Sequence, residues 1–406
     1  MPISGTLIRR AAPISVLRVS DWRADAPVRV IVAIPACDEA ERIGNCLDAL
    51  ASQEEWPGHF HRSRDFGIVL LVNNTSDQTF DMAVALLRAR NLPFVCADVR
   101  LPAEHAHAGA ARGLAMDAAA DWLERVGNDT DGLILTTDAD SRVPADWVRR
   151  TLAGLPGSIG AVAGRVDLDP SEEHELPCRL RRRRRDERAY EEVLLALSAV
   201  IDPLAHDPWP NHGTASGASL AVTLSAYRAI GGSPHVPCGE DRALVAALRW
   251  LDIPVRHDPE LVVSTSARLA GRARDGFADT LRQRADVWES PGDEALEALP
   301  NALRRYMWRR RLRTWHRVGN LDASLWAAVF GLNVPSGEPK SGPFGAFWQK
   351  IETASPFLAR VPLQRGLLAG HAEAGRQLLR DMRPSLFQAQ EYETIGVRHL
   401  LAEGVD

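Results

Sequence analysis

The chain has 406 residues, 45% of them hydrophobic and 25% charged, and a formal net charge of −5. That length supports more than one core, because single hydrophobic cores stop growing at roughly 250–300 residues. The acidic balance excludes wholesale nucleic-acid binding, and no apolar run approaches the ~20 residues of a membrane span.

Arg9 and Arg10 are followed by no apolar stretch of the kind a secretory signal needs. The five cysteines, odd in number and without a C-x-x-C, read as free thiols of a reducing compartment, so a cytoplasmic protein is expected. Lys340 and Lys350 are the only lysines. Because alanine is also abundant, codon bias explains this better than a demand for guanidinium groups.

Residues before Pro27 lack sustained periodicity and read as an arm. From Val28 to Pro35 a short apolar, β-branched run predicts a strand buried on both faces. Ile43, Leu47 and Leu50 then recur at helical spacing within 40–51. The cycle repeats: strand 67–74 and helix 78–90, strand 94–99 and helix 109–125, strand 132–137 and a helix from about 145. Such alternation implies a mostly parallel sheet covered on both sides, whose ligands bind beyond the carboxyl ends of the strands.

Beyond about Gly160 the rhythm loosens. A strand at 161–166 precedes a charged helix at 180–200, the proline-rich stretch 202–210 and a short strand near 218–222. A helix at 240–250 and a strand near 261–263 follow. After Gly276 only helical patterns remain, interrupted at Pro291–Gly292 and 335–345.

Three loops carry chemistry. Asp138-Ala139-Asp140 follows the strand Leu133-Ile134-Leu135, and two carboxylates one residue apart at a strand end hold a hard divalent ion against a diphosphate. Placement distinguishes this D-x-D from an ordinary polar turn. Pro35-Ala36-Cys37-Asp38-Glu39-Ala40-Glu41 ends the first strand, either as the floor of a nucleotide pocket or simply as an acidic helix start. Asn73-Asn74-Thr75-Ser76-Asp77 ends the second strand, where Ser76 or Asp77 as a helix cap explains part of the cluster without any ligand.

Together these segments resemble the GT-A glycosyltransferases, above all their large second family of inverting enzymes. The family's I-P-A-x-N-E-A is matched by Ile34 to Ala40 with Asp38 in place of Asn, and where its second strand usually ends V-D-D-G-S-x-D-x-T this chain has the shorter Val72-Asn73-Asn74-Thr75-Ser76-Asp77-Gln78-Thr79. Gly109-Ala110-Ala111-Arg112-Gly113 resembles the third element, Asp138-Ala139-Asp140 the fourth. Gly217 to Leu220, Tyr227 to Gly232 and Gly239-Glu240-Asp241 resemble the acceptor-side block. The likeness runs from about 28 to 268.

It implies an α/β fold of GT-A type, a Rossmann-like mixed sheet with a C-terminal helical extension. The expected division is an arm at 1–26, a catalytic domain at 27–275 and a helical region at 276–406. The implied reaction moves a sugar from a UDP- or GDP-sugar to an unidentified hydroxyl acceptor, with Mn²⁺ or Mg²⁺. Pro35, Ala36, Glu39, Asn73, Asp77, Arg112, Asp138 and Arg268 would bind the donor; Asp138 and Asp140 would hold the metal. Asp241 would be the general base, with Glu240 able to take the same part.

Two departures matter. Asn73-Asn74 stand where an acidic pair commonly meets the base, so uracil recognition does not follow. The histidine that often completes the metal shell is missing from 261–268, leaving Thr265, or His257 slightly earlier, as the third ligand. Arg268, with Arg272 and Arg274, is a further candidate for the diphosphate. A retaining enzyme using His257 or Thr265, or a donor-binding protein without turnover, stays as the alternative.

Other readings fare worse. A nicotinamide dehydrogenase needs G-x-G-x-x-G, and 35–41 holds no glycine. Haloacid-type phosphatases carry D-x-D on the first strand, and in Gly213-Thr214-Ala215-Ser216-Gly217 the serine is misplaced for a hydrolase. A sugar nucleotidyltransferase would want a Gly-rich first loop. Arg181 to Arg185 reads as a solvated helix face balanced by Asp186, Glu187, Glu191 and Glu192. Arg304–Val318, with Tyr306, Trp308 and Trp315, reads as aromatics packed on the catalytic domain, or as a peripheral membrane contact.

Overall fold

The computed structural model describes residues 14–54, 66–128, 130–272, 276–287, 295–319, 321, 326–332 and 342–382. It divides into two compact units. One comprises Met1–Arg181, Ala205–Trp288 and Ser341–Lys350; the other comprises Arg182–Leu204, Glu289–Lys340 and Ile351–Asp406.

The first unit is built on a mixed sheet of nine strands. These are β1 (Ser15–Trp22), β2 (Val30–Ala36), β3 (Phe66–Asn73), β4 (Phe94–Arg100), β5 (Leu133–Thr136), β6 (Ser141–Arg142), β7 (Ala161–Leu168), β8 (Leu220–Thr223) and β9 (Val255–Thr265), in the order β1-β4-β3-β2-β5-β8-β7-β9-β6. β4, β3, β2 and β5 are parallel, with Ala36 opposite Val72 and Ala33 opposite Thr136. Their carboxyl ends therefore open on one edge. β8 runs antiparallel to β5 and sets Leu220 beside Thr136, so the chain entering β8 arrives at that same edge.

Each face of the sheet has its own core. Alternate residues of β2, Ile31 and Ala33 against Val32 and Ile34, point into opposite layers, which is why this segment is a continuous apolar run. On one side lies the alanine-rich helix α3 (Ala108–Arg125), whose buried residues run from small Gly113, Ala115 and Ala119 to Trp122. A Cβ on Gly67 of β3 would sit 2.7 Å from Trp122 of α3, so only glycine fits beneath that indole. Helices α1 (Ile43–Ala51), α2 (Thr79–Ala89) and α4 (Trp147–Ala153) cover the other face.

The N-terminal segment is not wholly an arm: 15–22 is the edge strand β1, antiparallel to β4. One of its faces is exposed, so it lacks the apolar run that marked its neighbours. Arg18 anchors it by pairing with Asp98 and Asp81, both at 2.9 Å. Residues 1–13 lie outside the described residues.

β9 is much longer than its apolar centre suggests. Its pairing with β7 shifts register between Gly164 and Arg165, which face Asp258 and Val262. The extra residues form a bulge that carries Pro259, a residue that interrupts the strand pattern before 261–263.

The second unit takes most of α6 (Cys178–Ile201, after the short α5, Pro170–Glu173), which the sequence had assigned to the catalytic domain. Following α7 (Leu224–Ala229), α8 (Glu240–Trp250) and α9 (Phe277–Asp286) of the first unit comes α10 (Leu299–Arg317). Tyr190, Val193 and Leu197 of α6 pack with Leu299, Ala302 and Tyr306 of α10 and with Leu363 and Leu368.

The arginine run is not simply a solvated face, since Arg183 is fully buried with Glu187 at 2.8 Å, one helical turn on. Trp308 meets Phe330 edge-on within the same unit. Helix α11 (Phe344–Ala354) and a helical stretch at 368–382 complete the described chain. The expected breaks at 291–292 and 335–341 lie outside the described residues, as does Arg274.

Candidate active site

The loops after β2 and β3 hold one another. Asp38, at φ 52°, accepts from Ser76 N (2.6 Å) and Thr75 Oγ1 (3.0 Å). Asp77 accepts from Ala40 N (3.0 Å) and Thr79 N (2.9 Å), and Glu39 N donates to Thr79 Oγ1 (2.8 Å). These bonds hold both carboxyls below the usual carboxylate range despite partial burial. Asp77 is thus a brace between the loops, and Asn74 likewise exchanges two hydrogen bonds with the Leu101 backbone. Pro35, Ala36 and Asn73 sit at the strand ends they were expected to occupy.

The turn after β5 carries the paired carboxylates. Ala139 is buried and Ser141 N donates to Asp138 O (3.1 Å), so Asp138 and Asp140 stand on a pinned turn. Arg112, buried on α3, spans the site. Its Nη2 donates to Asp138 Oδ1 (2.6 Å), its Nε to Glu240 Oε1 (2.8 Å) and its Nη1 to Thr136 Oγ1 (2.6 Å) and Gly217 O (3.1 Å). A Cβ on Gly217 would lie 2.3 Å from the guanidinium carbon, so glycine is what lets the backbone approach it.

Asp241 is the second residue of α8, a helix entered through Gly239 in the left-handed region at φ 74°. Its Oδ2 accepts from Gly217 N (2.9 Å) and its Oδ1 from Arg242 N (2.7 Å). Burial, then the adjacent Glu240, raises its pKa above the ordinary value.

Arg268 closes the opposite side. It grips Glu39 with both ends of its guanidinium and lies 3.1 Å from Asp140 Oδ2. Glu172 fixes its loop, accepting from Ala267 N (2.8 Å) and Ser266 Oγ (3.1 Å) and pairing with Arg42 (2.6 Å). Sequence reasoning missed Glu172, Arg42 and Thr136, because their partners are far away in the chain and no local pattern marks them.

Glu39, Asp138, Asp140, Glu240 and Asp241 thus gather about two guanidiniums, a local excess of negative charge. Burial and neighbouring Asp138 push the Asp140 carboxyl up to about 7. An added divalent cation would relieve both, so Asp138 and Asp140 fit Mg²⁺ or Mn²⁺ that completes its shell with phosphate oxygens and water. No group of three or more His, Cys, Asp or Glu suited to a metal exists among the described residues. Thr265 Oγ1 is 3.5 Å from Asp140 Oδ1.

His257 is not the third ligand. It lies opposite Ala163 whereas Thr265 lies opposite Leu168, roughly 16 Å along the strand at 3.3 Å per residue. Its Nδ1 faces Asp207 Oδ2 (2.8 Å) and its Nε2 faces Arg249 Nη2 (3.3 Å). An arginine can only donate, so Nε2 accepts, Nδ1–H donates, and the ring is neutral. His212 meets it edge-on, with ring centroids 5.4 Å apart.

These two histidines give a stability prediction. Burial holds both below the ordinary 6.5, and His212 at about 4. Folding thus favours their neutral forms, and the benefit present above pH 6.5 is lost as pH falls toward 4. Unfolding free energy should drop by up to about 1.4 kcal/mol per pH unit for each ring. Urea unfolding at a series of pH values checks it: His212→Gln should flatten the slope, and a slope unchanged in that variant contradicts the account.

No protein-family model matches the chain, and no curated protein matches its sequence. Among solved structures it is similar to residues 1–349 of TarS from S. aureus in complex with UDP-GlcNAc, at 12% identity and TM-score 0.43, covering 88% of this chain and 92% of that one. It is similar to the mannosyltransferase PcManGT from Pyrobaculum calidifontis in complex with GDP-Man and Mn²⁺, at 15% identity and TM-score 0.40, covering 87% and 90%. A third is glucosyl-3-phosphoglycerate synthase from Mycobacterium tuberculosis with Mg²⁺ and UDP, at 16% identity and TM-score 0.35, covering 60% and 74%.

Proposed function

We propose that the chain is a glycosyltransferase that moves a sugar from a nucleoside-diphosphate sugar to an acceptor hydroxyl, with inversion. The observation that carries this reading is Arg112. One buried guanidinium joins Asp138, on the turn expected to meet the diphosphate, to Glu240 beside Asp241, expected to meet the acceptor. The two halves of a transfer site are held within a few ångströms.

Asp138 and Asp140 hold the divalent cation, which when bound neutralises charge on the departing diphosphate. Arg268 supplies a second positive charge beside that position, turning from Glu39 toward phosphate oxygens by the same planar fork. The braced loops at 35–41 and 73–79 form the floor for the nucleoside. Asp241 takes the acceptor proton as the hydroxyl attacks the anomeric carbon. Glu240, occupied by Arg112, is a positioning residue and not the base.

Purified protein given UDP- or GDP-sugars and Mn²⁺ should release nucleoside diphosphate, slowly to water and faster once an acceptor is supplied. Donor binding without any release would instead support a binding protein that retains the pocket.

A further inference from the structure

We propose that the outer face of α10 docks the protein on an anionic lipid surface. The helix carries seven arginines and no acid. Four of them are committed inward or sideways. Arg305 pairs with Glu297 (2.5 Å) and Glu352 (2.6 Å), Arg309 and Arg313 both grip buried Asp202, and Arg304 lies over Phe357.

Arg310, Arg311 and Arg317 are all exposed, Arg311 turned furthest from those partners and Arg310 and Arg317 flanking it. Arg310 reaches back with one nitrogen to Ile201 O (3.0 Å). Arg311 is held outward between two indoles, 5.4 Å from the ring centres of both Trp308 and Trp315. Met307 and Val318, one at 56% and the other at 64% exposure, share that face at spacings of three, four and seven.

Charge alone would suit any polyanion. Large apolar side chains interleaved with arginines, and indoles at the edge, suit the headgroup region of a bilayer, which takes cations and apolar tips together. Insertion across the bilayer is not implied, as no described helix is long and apolar enough. This surface is independent of the transfer chemistry.

Co-sedimentation of the full chain with phosphatidylcholine vesicles, with and without phosphatidylglycerol, tests it. Binding should require the anionic lipid and weaken with salt. Each basic residue near an anionic surface contributes about fivefold, so R310Q/R311Q/R317Q together should lose about a hundredfold. Met307→Ser with Val318→Ser should weaken binding several-fold while keeping its salt dependence. No binding to anionic vesicles, or undiminished binding by the triple variant with helix content intact, overturns the proposal. Binding to polyphosphate but not to vesicles also overturns it, assigning the face to a soluble polyanion.

Discussion

Asp241→Asn should lower kcat by about 10²–10⁴-fold, the usual worth of a general base, with donor affinity little changed. A sugar hydroxyl is a poor nucleophile near neutral pH, so its proton must leave as attack proceeds. Asp241 is held in place for the proposed role, with one oxygen on Gly217 N and the other on Arg242 N. Asparagine keeps the size and can still accept a bond through its carbonyl, but it cannot take the proton.

Burial holds the Asp241 carboxyl above its ordinary pKa. The active form is the carboxylate, so kcat should rise with pH through that raised value and then level off; the variant should lack this limb. Steady-state kinetics across pH read both effects. Near-normal turnover in the variant would remove Asp241 from the role, and lost donor binding would place it on the wrong side of the site.

Arg112→Leu should destabilise the first unit by about 3–5 kcal/mol, the cost of stranding a buried charge. Its side chain and that of Glu240 are each 7% exposed, and Asp138 shares the same guanidinium. Without the arginine, Glu240 faces the protein interior with no counter-charge. Gly217→Ala should act in the same direction, by pushing a methyl into the space the guanidinium fills.

The distinguishing case is the double variant. Replacing both partners of a buried pair by apolar groups is often near neutral, so Arg112→Leu with Glu240→Leu should recover much of the loss. Urea unfolding of the single and double variants gives the coupling. A single-variant loss below about 1 kcal/mol, or none recovered in the double, would show that the pair does not hold the site together.

Much of the first unit was legible because its signals are local. β2 and β3 are uninterrupted apolar runs, and α8 starts at Glu240 and ends at Trp250 as the spacing of its apolar residues indicates. The D-x-D turn could be placed because the strand before it could. What escaped depends on partners distant in sequence. β1 is one-sidedly exposed and acquires its meaning only beside β4. The bulge in β9 hides a strand behind His257-Asp258-Pro259-Glu260. Arg183 sits in a run that looks solvated, yet it is buried and paired with Glu187 one helical turn on.

The candidate site divides in the same way. Asp138 and Asp140 stood out by position and Asp241 through the resemblance of 239–241, whereas Arg112 to Glu240 spans 128 residues and Arg268 to Glu39 spans 229. No local pattern sees such pairs. His257 was a candidate by proximity in sequence alone; the strand that carries it takes it away from the carboxylates, and Asp207 and Arg249 occupy both its nitrogens.

The central claim is that a nucleoside diphosphate and a divalent cation share the crevice at the ends of β2, β3 and β5. Thermal unfolding of the purified chain with UDP or GDP, each with and without Mn²⁺, measures this without knowledge of the acceptor. One nucleotide at a hundred times its Kd should stabilise the protein by about 2.7 kcal/mol, with a larger shift when Mn²⁺ is present. Asp140→Ala should abolish the Mn²⁺-dependent part and leave the unliganded transition in place. No stabilisation by either nucleotide, or a shift independent of Mn²⁺ that persists in Asp140→Ala, would contradict the account.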